Sequence, residues 1–136
     1  MKTIVTGESD WTLPNTNVDA FPNMVGNPSQ SVDSDGQKYI LAGTPLTAAS
    51  DPTQSKTTVV MTPTNDPSEV YGILRTDVNV VNGPAKAAVV TAGEGNIANM
   101  DKSIQSVYSA SFVNSLKTAL PRLQLINRND GDDLEK

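Results

Sequence analysis

VYGILRTDVNVVNGPAKAAVVT, residues 70–91, is the stretch whose reading decides the fold. Its apolar runs, 70–74, 78–81 and 85–91, are short, rich in Val, and separated by polar or Gly-Pro breaks. Runs of that length and composition read as strands, because β-branched side chains suit a pleated surface and four to seven residues are too few for a helix. Asn82-Gly83 accepts the positive φ angles of a type I′ turn, so it predicts a hairpin joining the last two runs, with Pro84 shifting the register.

Toward the N-terminus, Tyr39, Ile40, Leu41 and Ala42 form another short β-type run, followed by the turn Gly43-Thr44-Pro45-Leu46. Residues 57–61, TTVVM, have strong β propensity, whereas 47–56 and 63–68 read as loops. Asp35-Gly36 is a turn signal that opens the body. Toward the C-terminus, Ile104, Tyr108, Phe112, Leu116 and Leu120 recur every fourth residue, with Val107 and Val113 widening the stripe. That period predicts one helix over about 103–120, capped by Asp101 or Ser103 and ended by Pro121. Leu123, Gln124, Leu125 and Ile126 give a last strand. The expectation is a β-rich domain, mainly β with one helix in its C-terminal half, folded as a small sheet or barrel-like body.

The length of 136 residues suits one domain, and with aromatics at 4% its core must come from Val, Ile, Leu and Ala. Charge divides the chain into three parts. Residues 1–36 carry a net −4, residues 37–128 a net +2 and residues 129–136 a net −3. The first part reads as an extended N-terminal arm or loop with spaced apolar residues, and the last as a solvated acidic tail. Residues 1–36 hold the only Trp and leave two readings open: a loop packed on its own domain, or an arm that orders on a partner.

Cysteine and histidine are both absent, which excludes disulfide scaffolds, zinc fingers, thiol nucleophiles and Ser-His-Asp triads. The net charge of −5 argues against binding nucleic acid through phosphates. No apolar run is long enough to span a membrane, and Gly7-Glu8-Ser9-Asp10 interrupts any secretion-type apolar region after Met1. Gly93-Glu94-Gly95-Asn96-Ile97-Ala98 matches a dinucleotide fingerprint in form, but no helix or downstream acid stands where that site needs them, so it reads as an ordinary turn. Asp33-Ser34-Asp35-Gly36 lacks the acid of a calcium loop, since Thr44 holds the twelfth place. No catalytic residue, cofactor site or metal site is expected.

Three segments carry a further signal: AGTPL at 42–46, VYGILRTDVNV at 70–80 and AKAAVVTAGEGNI at 85–97, followed by a helix and a closing apolar strand. In order and spacing they resemble the lambda-type head decoration proteins of tailed bacteriophages, over residues 39–126. The resemblance implies a β-rich domain that assembles as homotrimers on the outer surface of the mature capsid. Its partner is the major capsid protein, and it stabilises the shell against the pressure of packaged DNA. It implies residence in the host cytoplasm before assembly and on the virion afterwards, with no nucleic-acid or membrane partner. The family's N-terminal arm adds a strand to capsid sheets. On that pattern Thr3, Ile4, Val5 and Thr6 are the added strand, with Trp11, Leu13 and Phe21 as anchors. Deleting residues 1–21 is then expected to abolish capsid binding and leave the body folded. The rival expectations are another phage structural part, such as a head fibre, neck or tail component, and a small β-rich module binding carbohydrate or protein.

Overall fold

A computed structural model describes residues 11–13 and 17–128. The chain is β-rich. Its strands are β1 (Asp19–Val25), β2 (Tyr39–Ile40), β3 (Pro45–Thr47), β4 (Thr62–Pro63), β5 (Gly72–Leu74), β6 (Val78–Asn79), β7 (Ala85–Asn96) and β8 (Leu123–Ile126), with helices α1 (Lys102–Gln105) and α2 (Ala110–Ala119) between the last two. β7 is the spine. Its first half pairs antiparallel with β1 on one edge and with β5 on the other, and the sheet continues through β3 to β4. Its second half pairs in parallel with β8. Met61, just before β4, bridges back to Val25 of β1, which curls the sheet toward barrel-like closure at that end. β2 and β6 form a separate two-stranded ribbon.

The central residues explain why residues 70–91 lack clean polar-apolar alternation. Ile73 opposes Val90 and Leu74 opposes Val89, and all four are fully buried. Neighbours along a strand point to opposite faces, so both faces of the sheet are covered. Ile73 and Val90 belong to a cluster with Trp11, Tyr108, Phe112, Leu116 and Leu120, beneath the helices. Leu74 and Val89 belong to a second cluster with Val25, Ile40, Leu46, Met61 and Val80, on the face of the β2–β6 ribbon.

Four expectations change. The single helix over 103–120 is broken between Gln105 and Ala110. Asp101 caps α1 by accepting from Ser103 N (3.0 Å), and Ser109 caps α2 by accepting from Phe112 N (3.2 Å). A serine that caps a new helix competes with its own place in the interior of a longer one. Asn82-Gly83 does turn the chain, with Gly83 N donating to Val80 O (3.1 Å) and Gly83 at a φ of 108°. No hairpin results, because β6 pairs with β2 and not with β7. Residues 57–60 are outside any strand, although Asn23 Nδ2 donates to Val59 O (2.8 Å). Finally, residue 36 is not a boundary between arm and body: β1 lies in the main sheet and Trp11 in the core.

Candidate functional site

The segments that carry the family resemblance meet in the fold. Gly43 N donates to Leu74 O (2.7 Å), Leu74 N to Thr44 O (3.0 Å) and Tyr71 N to Leu46 O (2.9 Å). The Asp77 carboxylate accepts from Ala42 N at 2.6 Å. Gly43 has a φ of 91°, its carbonyl accepts from the Tyr108 hydroxyl, and a Cβ there would lie 2.6 Å from Met100 Sδ. At Gly72 a Cβ would lie 2.3 Å from Val89 Cγ1. Close approach and a left-handed turn thus account for glycine at both positions. Residues 42–46 and 72–74 are buried and build the scaffold, whereas the Tyr71 side chain is exposed beside them.

The expected anchor residues divide. Thr3, Ile4, Val5 and Thr6 lie outside the described residues. Trp11 is wholly buried, donating from Nε1 to Leu74 O (2.8 Å), and its ring covers the bare backbone of Gly95, where a Cβ would meet Cε3 at 2.2 Å. It is therefore a core residue of its own domain, which corrects its expected role as an anchor on a partner. Thr12 bridges Gly95, and Leu13, half-buried, donates its N–H to Glu94 O (2.9 Å). Phe21 is half-buried in β1 and packs on the second cluster. Trp11, Leu13 and Phe21 thus tie the N-terminal segment to this domain.

The glycine-rich stretch 93–96 is corrected in the same way: it is strand, not turn. Gly95 lies between Thr12 and Leu125, and a Cβ at Gly93 would meet Asn17 O at 2.9 Å. Protein fills the space a phosphate would need. The sequence signal was present, since a mid-strand glycine marks close approach of another group, but nothing in it named Trp11 as that group.

Hydrogen bonds from Thr53 hold the Asp51 carboxyl below its ordinary value, and hydrogen bonds from Ser68 do the same for Asp66. A general acid needs the opposite shift. Among the described residues no three His, Cys, Asp or Glu side chains gather as metal ligands. Among the described strands β8 pairs with β7 alone. β8 is bordered by a groove of about 390 Å³, lined by Val113, Leu116 and Lys117 of α2, Pro121, and Leu123, Gln124 and Leu125. Among the described residues the exposed large apolar side chains are Val32, Val60 and Tyr71, which lie outside the regular strands and helices.

Compared with protein-family models, with curated proteins and with solved structures, the chain finds no match.

Proposed function

We propose that this chain is a structural virion protein of the head-decoration type, binding as trimers to the outer surface of a phage capsid and stabilising the shell. The observation that supports this reading is the interlocking of 42–46 with 70–77 against β7. Short motifs matched only by order and spacing gain weight when one packed unit accounts for their spacing. Many identical weak contacts on a symmetric shell add by avidity, so no deep pocket is needed. Residues 1–10, with Thr3, Ile4, Val5 and Thr6, are the part of the expected arm that precedes the Trp11 anchor, and they carry the capsid contact in this reading.

The test is quantitative mass spectrometry of sedimented phage particles. A ratio to the major shell protein near one to one supports lattice decoration. A handful of copies per particle moves the chain to a neck, tail or fibre, and absence overturns the reading. The arm is tested by deleting residues 1–10, which keeps Trp11: the body stays folded and capsid binding is lost. Deleting 1–21 is no longer a clean test, because it removes Trp11 from the core and Asp19, Ala20 and Phe21 from β1.

A further inference from the structure

Asn82 is the only asparagine in the chain followed by glycine. It stands in the turn between β6 and β7, where Asn82, Gly83 and Pro84 are all exposed. Its side chain makes no hydrogen bond with any described residue. Gly83 has a φ of 108°, and nothing lies within 4 Å of where its Cβ would stand. Among the described residues its N–H is held by one turn hydrogen bond, to Val80 O (3.1 Å). Other asparagines are placed differently. Asn23 donates to Met24 O (3.1 Å) and Val59 O (2.8 Å), and Asn79 donates to Gln37 Oε1 (2.7 Å) and accepts from Val81 N (3.1 Å). Asn96 accepts from Ala98 N (3.1 Å) and donates to Arg128 O (2.7 Å). Asn27 precedes Pro28, whose nitrogen carries no proton.

We propose that Asn82-Gly83 is a self-modifying site, at which the folded chain converts Asn82 to aspartate and isoaspartate with water as the co-reactant. The Gly83 nitrogen bonds to Asn82 Cγ, and its proton passes to the side-chain amide. The Cγ–Nδ2 bond breaks, ammonia leaves and a succinimide ring remains. Water then adds to one ring carbonyl. Breaking the Cγ–N bond leaves aspartate, and breaking the bond from the Asn82 backbone carbonyl to that nitrogen leaves isoaspartate. Nucleophile and electrophile are neighbours in one chain, so the first step needs no encounter. Glycine contributes twice: it has no Cβ to crowd the ring, and its backbone reaches angles that other residues resist. The turn can absorb the product, since β6 ends at Asn79 and β7 starts at Ala85, leaving both ladders outside the altered bonds. Each product adds a negative charge at an exposed position. Isoaspartate also routes the main chain through the former side chain, lengthening the turn by one methylene.

The full chain, kept folded in mildly alkaline buffer and sampled over days, tests this. Trypsin cuts after Arg75 and Lys86, so one peptide, 76–86, carries both Asn79 and Asn82, and mass spectrometry locates any conversion within it. A sample taken at the start corrects for conversion during digestion. Asn82 is expected to give both aspartate and isoaspartate while Asn79 stays intact. The rate in the folded chain is expected to lie within about tenfold of that in the guanidinium-unfolded chain, because one hydrogen bond of ordinary strength is what folding adds at the Gly83 nitrogen. Conversion of Asn82 in the unfolded chain alone overturns the proposal, since the turn would then shield the site. Equal conversion of Asn79 overturns it too, because the free side chain and the glycine would not be what selects Asn82. A product holding aspartate without isoaspartate would mean that water attacks the side chain directly and Gly83 takes no part, which also overturns it. The proposal does not depend on the decoration reading, and its test needs no capsid.

Discussion

Gly95 and Trp11 are separated by more than eighty residues, yet each explains the other. A strand position without a side chain leaves bare backbone in the core, and the indole ring covers it while its N–H finds the Leu74 carbonyl. The pair gives two variants with different causes. Trp11→Ala removes a fully buried aromatic and is expected to cost about 3–5 kcal/mol through lost burial and the cavity left behind. Gly95→Ala adds one methyl but forces it against Cε3, so the ring or the strand must move; overpacking of this kind costs about 1–3 kcal/mol. Urea unfolding measures both, by circular dichroism for the first and by fluorescence of the lone Trp for the second. A Gly95→Ala midpoint equal to that of the parent would show that the ring does not lie on this glycine. Neither partner was legible alone: the sequence shows a single Trp and a glycine that reads as part of a turn, and only the fold makes them neighbours.

Elements were legible where local pattern and tertiary choice agree. The short apolar runs at 70–74 and 85–91 supplied the centre of the sheet, because Ile73, Leu74, Val89 and Val90 are buried on both faces and no competing local structure is offered. Asp101 and Pro121 bracket the helical region as their chemistry predicts. Where two local signals compete, the sequence underdetermines the outcome. The four-residue stripe through Tyr108 favours one long helix, whereas Ser109 favours a cap, and the cap wins while Tyr108, Phe112, Leu116 and Leu120 still share the core. Ser109→Ala separates the two arrangements by sign. At a cap the change costs about 1 kcal/mol. In the interior of a continuous helix it would stabilise by a few tenths of a kcal/mol, since Ala has the higher propensity. Chemical denaturation gives the sign, and a stabilised variant would contradict the break between α1 and α2. Asn82-Gly83 teaches the same lesson in the strands: its turn is local and forms, while the pairing of β6 is tertiary and goes to β2.

At the scale of the whole molecule, the sheet separates two cores, and the Tyr108 hydroxyl joins the helical side to the Gly43 loop that leads into β3. Burial pushes the Tyr108 phenol above its ordinary value of 10.0, since an ionised ring would be desolvated and would lose its donor to the carbonyl. The folded value is raised above the unfolded one, so the linked stabilisation is fully present below pH 10. It is lost as the pH rises beyond that, because the unfolded chain releases this proton first. On this account the unfolding free energy falls as the pH rises through 10, with a slope that approaches about 1.4 kcal/mol per pH unit as the unfolded chain's tyrosine becomes fully ionised. Tyr108→Phe separates the effect from other alkaline titrations. At neutral pH it is expected to cost about 1–2 kcal/mol for the lost hydrogen bond, and above pH 10 its stability curve should be shallower than the parent's by the slope that Tyr108 supplies. Urea unfolding across pH 7 to 11 measures both limbs. Parallel curves for parent and variant would mean that the phenol ionises as readily folded as unfolded, and that the contact between the helical region and the Gly43 loop does not hold the hydroxyl out of water.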